Sequence, residues 1–370
     1  MIQICLLSIT ASHYRHRIYN EMQKQIGCDF IFGVDNSSVK RMDTSTLENA
    51  FDVPNKYIAN TQVYFQPNVI KATSKYKILI NDLGIFCITA WLLLFIAKFR
   101  GQKIYNWDHG WYGRENLIKK ILKRFYFGLA DGAFIYGDYA INLMIQNGFN
   151  ASKLYPIHNS LDYDNQCELR NTIESKSIYK DYFKNDNPVL IMIGRLNMRK
   201  NLHQLLEAVS LLRTKGKLYN IILVGDGEDR QKLEELASRL EITKQIWFYG
   251  ACYDEAQNAK LIYNSDMCVV PGDIGLTAIH AMTFGVPVIS HDYFQNQGPE
   301  FEVIKQGLTG AFFKHNNVES LAETIEQWFV DHRVDRESVR MNCYKEIEQG
   351  WTPQYQVDII KKAIGYESYL

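Results

Sequence analysis

Two cations five residues apart, Arg195 and Lys200, stand in the segment GRLNMRKN at 194–201, directly after the apolar run PVLIMIG. Gly194 allows backbone to approach a ligand at the end of that run. A helix is expected to open here, and helix amides together with two cations suit a phosphate. A solvated basic turn is the alternative. A second turn, GDGED at 225–229, joins IILV to the helix-like RQKLEELASRL. It lacks the third glycine of a dinucleotide fingerprint and its acids would repel a pyrophosphate, so it reads first as a strand-to-helix turn. The third segment is PGDIGLTAIHAMTFGVPVI at 271–289. A strand is expected to end at Pro271 and a helix to run from Leu276 to Phe284, with its first amides forming a further anion cradle.

Other residues carry alternatives of equal weight. His13, Arg15, His16 and Arg17 lie in SHYRHR after the first apolar run, where they suit an anionic acceptor such as a lipid diphosphate or decorate the surface. The stretch LIKKILKRFYF at 117–127 sets Lys119, Lys120, Lys123 and Arg124 beside apolar residues at helical spacing. That pattern fits a helix lying on anionic lipid, and equally a surface helix with one buried face. Asp162 and Asp164 form a D-x-D triplet, but within the turn IHNSLDY rather than beside a nucleotide strand, so no metal is expected.

These segments need a scaffold, and the alternation of short apolar runs with helix-period stretches supplies an α/β one: parallel sheets covered by helices on both faces. In the first half, strands are expected near Ile2–Leu7, Phe30–Val34, Lys103–Trp107, Gly132–Tyr136 and Lys153–Ile157, with helices at Tyr14–Ile26, Phe86–Phe99, Leu117–Phe127 and Tyr139–Asn147. The apolar run Leu83–Ala97 is too short for a bilayer span and reads as a core helix. From Asp162 to Asn187 the chain turns polar, and the alternation restarts at 188–194, with further strands at Tyr219–Val224, Gln245–Tyr249, Met267–Val270, Val286–Ser290 and Gly310–Phe313. The expected division is 1–165 and 166–350, with 351–370 returning to the first domain. A length of 370 residues accords with two doubly wound domains and a cleft between them.

Formal net charge is zero, yet residues 1–170 carry 19 Lys and Arg against 14 Asp and Glu, leaving 22 against 27 for the rest. The basic first half points to an anionic surface or substrate, or to surplus solvated lysines, while the absence of a basic and aromatic stripe argues against nucleic acid. Seven scattered cysteines without a CxxC pair fit reduced thiols, and the start MIQICLLSI reads as a buried strand rather than a signal peptide. A cytoplasmic protein is expected, with peripheral contact at the inner face of a membrane as the reading that suits the basic half.

GRLNMRKN, GDGEDR, GDIGLTAIHAMTFGVPVI and EVIKQGLTGAFF (302–313) occur in this order and spacing, and the set resembles retaining glycosyltransferases of family 4, which have the two-domain GT-B architecture. The resemblance is strong over about 188–330 and is supported by NWDHGWYGRE (106–115) and IHNSLDY (157–163). It implies metal-independent hexosyl transfer from a nucleoside diphosphate sugar to a glycan or lipid-linked glycan, in the synthesis of capsule, lipopolysaccharide or another surface polysaccharide. The donor is a substrate, so no cofactor is implied. Arg195 and Lys200 would neutralise the leaving diphosphate, the amides of Gly275, Leu276 and Thr277 would hold its distal phosphate, and His109 would face the donor sugar. Glu302 would contact ribose or cap a helix. Two family glutamates, eight residues apart, are replaced here by Gly272 and His280. Asp273 would then supply the sugar-facing carboxylate and His280 a hydrogen bond to ribose. The missing glutamates motivate another reading, a catalytically silent subunit that partners an active transferase.

Overall fold

The computed structural model describes residues 3–34, 40–174, 177–332 and 335–366. Ile2, where the first strand was expected to begin, lies outside them, as do residues 367–370 of the terminal segment. The chain divides into two compact units, Met1–Asp162 with Thr352–Leu370, and Tyr163–Trp351.

In chain order the first unit's strands are β1 (Ile4–Ser8), β2 (Cys28–Val34), β3 (Ala50–Pro54), β4 (Lys56–Tyr57), β5 (Tyr64–Phe65), β6 (Ile78–Asp82), β7 (Lys103–Asp108), β8 (Gly132–Ile135) and β9 (Leu154–Pro156). Seven of these form a sheet in the order β3-β2-β1-β6-β7-β8-β9, parallel throughout, while β4 and β5 pair separately as an antiparallel ribbon. Side chains alternate across a strand, so β1 sends Cys5 and Leu7 into one core and Ile4 and Leu6 into the other. Burial on both faces explains why such strands read as continuous apolar runs. The second core is completed by Val357, Ile360 and Ile364 of the terminal helix Pro353–Ile364. That helix is bounded by local chemistry: the Thr352 side chain accepts from the Tyr355 amide, Pro353 opens the first turn, and Gly365 closes it at φ +67°.

The helix Ile88–Phe99 departs from the core helix expected there. Ala90, Leu93, Leu94 and Ala97 are buried, but Ile88, Leu92, Phe95 and Phe99 are exposed. Among the described residues no helix is long and apolar enough to cross a membrane.

The second unit holds β10 (Val189–Ile193), β11 (Asn220–Val224), β12 (Ile246–Gly250), β13 (Met267–Val269), β14 (Val288–His291) and β15 (Gly310–Phe313), all parallel, in the order β12-β11-β10-β13-β14-β15. Strand order reverses between β10 and β13, and in the first unit between β1 and β6. In open parallel sheets such reversals leave a crevice beyond the carboxyl ends of the two strands.

Candidate functional site

The loops that leave β10, β11 and β13 meet at the second unit's reversal point and are fastened backbone to backbone. Gly194 donates to the Val224 carbonyl (2.9 Å), Leu196 to Asp226 (3.0 Å), Gly272 to Lys200 (2.9 Å) and Asp273 to Arg199 (2.9 Å). Glycine is what permits this approach. A Cβ at Gly225 would stand 1.8 Å from the Gly194 carbonyl oxygen, and one at Gly227 2.2 Å from that of Leu196. The GDGED turn, unremarkable as sequence, is therefore the bed on which the GRLN loop rests. Gly272 is under the same constraint, since a Cβ there would lie 2.0 Å from the Arg199 carbonyl oxygen. A glutamate at 272 would need the loop backbone to move.

Lys200 is half-buried, and its ammonium donates to the carbonyls of Asp273 (2.7 Å) and Ile274 (2.9 Å). Burial is the largest influence on it and lowers its pKa, against the opposing pull of Asp273 and Glu300. The Ile274 amide is taken by buried Gln297 (3.0 Å), which itself donates to Ser290 (2.8 Å). Gly275 adopts φ +54°, and the amides of Gly275 and Leu276 meet no acceptor among the described residues. Thr277 is buried, with its hydroxyl donating to the Ile193 carbonyl (2.9 Å), which ties the short helix Thr277–Thr283 to the end of β10. Arg195 is exposed on the loop beside Gly194.

The remaining donor-side candidates have protein partners. Asp273 pairs with Arg199 and accepts from the Gly298 amide (3.0 Å). His280 Nε2 sits 2.9 Å from Glu255 Oε1, and the same carboxylate accepts from Gln166 (2.8 Å). Burial pushes the Glu255 carboxyl up, but hydrogen bonds from His280 and Gln166 hold it below its ordinary value. Glu302 is half-buried in the short turn Pro299–Val303, where its backbone carbonyl accepts from Lys305 (2.8 Å). Sequence reasoning passed over Glu255, Gln297 and Glu300. The last is buried and close enough to act on Lys200. Its only signal was a carboxylate in the Gly298–Pro299 turn that follows a buried strand.

In the first unit His109 follows β7 and is exposed, with its ring against Tyr136 (4.7 Å between centroids) and Tyr112 (5.9 Å). Its loop is stapled from below. Glu115 accepts from the amides of Tyr112 (2.8 Å) and Gly113 (2.9 Å) and from Lys123 (2.8 Å), which also donates to the Gly110 carbonyl. Lys123 is therefore turned inward and does not belong to the basic face expected of its helix. Arg15, grouped above with an acceptor site, is likewise buried, 2.6 Å from Asp82, with its guanidinium 5.4 Å from the Trp107 and Tyr136 ring centroids. An arginine so enclosed holds the crevice between β1 and β6 rather than meeting a solute. His13 is exposed, His16 shares a 3.0 Å contact with Asn20, and Arg17 pairs with Glu21 (3.2 Å) and with Asp162 (4.0 Å).

Residues 175–347 match the family described as glycosyl transferases group 1. The lipopolysaccharide core biosynthesis glycosyltransferase LpsE of Rhizobium meliloti is 30% identical over 147 residues, covering 40% of this chain and 41% of LpsE. The chain thus spans less than half the length of that curated relative. Among the solved structures that match over nearly the whole chain are HepE of Anabaena in complex with UDP (TM-score 0.74, 16% identity, 100% of both chains) and a glycosyltransferase of Rickettsia africae (TM-score 0.72, 17% identity, 98% of this chain and 99% of that one). The fold is GT-B, and the resemblance to GT-B glycosyltransferases read from the motifs holds.

Proposed function

We propose that this chain is a retaining glycosyltransferase that moves a hexosyl group from a nucleoside diphosphate sugar, without a metal, to a glycan or lipid-linked glycan of a surface polysaccharide. The observation that supports this reading is the interlocking of the three loops, which fastens the backbone on either side of Arg195 and the Lys200 ammonium to the turns that lead to the Gly275 and Leu276 amides. As the bond from the sugar's anomeric carbon to the phosphate oxygen breaks, negative charge grows on that oxygen. Fixed cations and amides there stabilise the transition state more than the ground state. Lys200 contributes by shaping the 273–275 loop as well as by its charge. His109 is the first unit's candidate for a hydrogen bond to the sugar. Uridine is the base to try first, because the structural relative HepE was solved with UDP. Peripheral contact with an anionic membrane would bring a lipid-linked acceptor within reach.

The test is calorimetric titration with UDP, followed by hydrolysis and transfer assays on UDP-sugars. Arg195→Ala should weaken UDP binding by about 1.5–3 kcal/mol, the worth of a charge-assisted contact. Turnover should survive EDTA, and retention of the anomeric configuration would appear in the product's NMR spectrum. Loss of activity with EDTA, restored by manganese or magnesium, would overturn the metal-free reading.

One observation favours a second reading. Gly272 cannot gain a side chain without displacing the Arg199 backbone, so the loop is built around the missing glutamate. If UDP binds but no UDP-sugar turns over with any acceptor, a silent subunit is the better account.

A further inference from the structure

Two of the helices that cover one face of the first unit's sheet, Ile88–Phe99 and Leu117–Leu129, each turn an apolar stripe outward. On the first, exposed Ile88, Leu92, Phe95 and Phe99 recur at helical spacing, and on the second Leu117, Ile118, Ile121, Leu122 and Phe125 do so. These are not grazing exposures: Phe99 is 91% exposed, Leu117 73% and Ile118 71%. The helices are in contact, with the Trp91 and Tyr126 rings 5.2 Å apart, so the stripes are neighbours on one surface. Soluble surfaces seldom leave so many large apolar side chains together unless something covers them.

The charges around the stripes indicate what does. Neither helix carries an Asp or Glu. Lys98, Arg100, Lys119, Lys120 and Arg124 surround the patch, and among the described residues none of them pairs with a carboxylate. Arg100 and Arg124 donate instead to the backbone carbonyls of Ile70 (2.8 Å) and Asn147 (2.7 Å), which anchors the charge without neutralising it. A symmetric contact with a second copy would set these cations against their own kind, with no acid on either helix to meet them. A bilayer of anionic lipid meets both features, because apolar side chains enter the acyl boundary while lysine and arginine remain among the phosphates.

We propose that the outward faces of Ile88–Phe99 and Leu117–Leu129 together form a docking surface for an anionic bilayer, with both helices lying in the membrane plane. The inference deepens the membrane contact of the function proposed above, but its test uses no donor and no transfer step. The full chain is sedimented with vesicles of phosphatidylcholine alone or with one third phosphatidylglycerol. Binding is expected to the phosphatidylglycerol vesicles and to weaken with added salt. Lys119→Gln with Lys120→Gln should weaken it by about fivefold per charge. Phe99→Ser with Ile118→Ser should lower it by roughly a hundredfold, at the scale of two large apolar side chains withdrawn from lipid. Phe99, Ile118 and Lys119 are exposed, Lys120 is half-buried without a carboxylate partner among the described residues, and none touches the donor loops, so the variants should keep the wild-type unfolding midpoint and UDP affinity. Failure of the wild type to sediment with anionic vesicles would overturn the proposal. So would a dimer in light scattering that Phe99→Ser dissolves while vesicle binding is absent. Vesicle binding without binding of UDP or any other nucleoside diphosphate would leave the docking surface standing and remove the transferase reading.

Discussion

At the crevice where strand order reverses, each unit holds a cation beside an aspartate, and the two pairs are used differently. Between β1 and β6, Arg15 and Asp82 close on one another at 2.6 Å, Ser8 adds a hydrogen bond to the same carboxylate (2.9 Å), and Trp107 and Tyr136 flank the guanidinium. Between β10 and β13, Lys200 spends its donors on the carbonyls of Asp273 and Ile274, and the Asp273 carboxylate goes to Arg199 and to the Gly298 amide. The first crevice is filled by its own charges. The second uses its charges to fix a loop, leaving Arg195 exposed and the Gly275 and Leu276 amides without protein acceptors among the described residues. A shared topology supplies a crevice, and whether a ligand can enter depends on where the buried cation finds its partner.

Breaking the closed pair should have the largest effect. Arg15→Ala leaves Asp82 as an uncompensated charge in a buried setting, at a cost of about 3–5 kcal/mol. Denaturant unfolding would read this as a lower midpoint with an unchanged slope, while the protein that remains folded keeps its UDP affinity. A loss below about 1 kcal/mol would make the pair no better than an exposed salt bridge and dissolve the contrast.

The outcome for Arg15 also marks what the sequence could and could not convey. Runs such as VLIMI at 189–193 announce strands because both faces of a parallel sheet are buried. The central strand β6, ILIND, did not stand out. It has only three apolar residues, and its polar end serves hydrogen bonds, with Asn81 donating to Asn106 (2.8 Å) and Tyr126 (2.7 Å). The GRLNMRKN and PGDIGL loops were legible because glycine and cation placement are local properties of sequence, whereas GDGED read as a plain turn until its glycines were seen against the GRLN backbone. Partners were not: nothing near Arg15 names Asp82, 67 positions away, and nothing in LIKKILKRFYF shows that Lys123 alone points inward to Glu115. Helical periodicity likewise marks Ile88–Phe99 as apolar on two faces without saying that one of them stays bare.

A middle-sized effect is expected at the open crevice. Lys200→Ala should lower UDP affinity by about 1.5–3 kcal/mol, roughly 10- to 150-fold, through the lost cation and the loosened loop. Its pH dependence sharpens the contrast. The Lys200 pKa is lowered in the folded chain, chiefly by burial. Between that value and the ordinary lysine pKa the unfolded chain holds a proton that the folded chain has released, so this lysine's contribution makes stability rise with pH across the window. Diphosphate binding should fall across the same window, because it needs the cation. Calorimetry and thermal unfolding at alkaline pH would show opposite slopes in the wild type, and Lys200→Arg, which stays charged, should abolish both. If the slopes persist in that variant, another group titrates.

The smallest effect on the fold belongs to Asp273, and that makes it the most discriminating probe of the sugar side. Asp273 does not cap the short helix at Thr277, which receives no side-chain cap. Its carboxylate instead accepts from the Gly298 amide and pairs with Arg199, whose side chain is 77% exposed. Asp273→Asn keeps an oxygen for the Gly298 amide and loses the charge toward exposed Arg199 together with its pull on Lys200, so stability should fall by about 0.2–1 kcal/mol. Affinity for free UDP should stay near the wild-type value, because the diphosphate is assigned to Arg195, Lys200 and the loop amides. Sugar hydroxyls donate more strongly to a carboxylate than to an amide oxygen, so a sugar gripped by Asp273 would be held less well by the variant. Affinity for the intact UDP-sugar should then drop while that for UDP does not. Comparing the two by calorimetry decides the matter: equal affinities for wild type and variant with both ligands would confine Asp273 to bracing the loop and leave Glu300, buried beside Lys200, as the next carboxylate to test by Glu300→Gln.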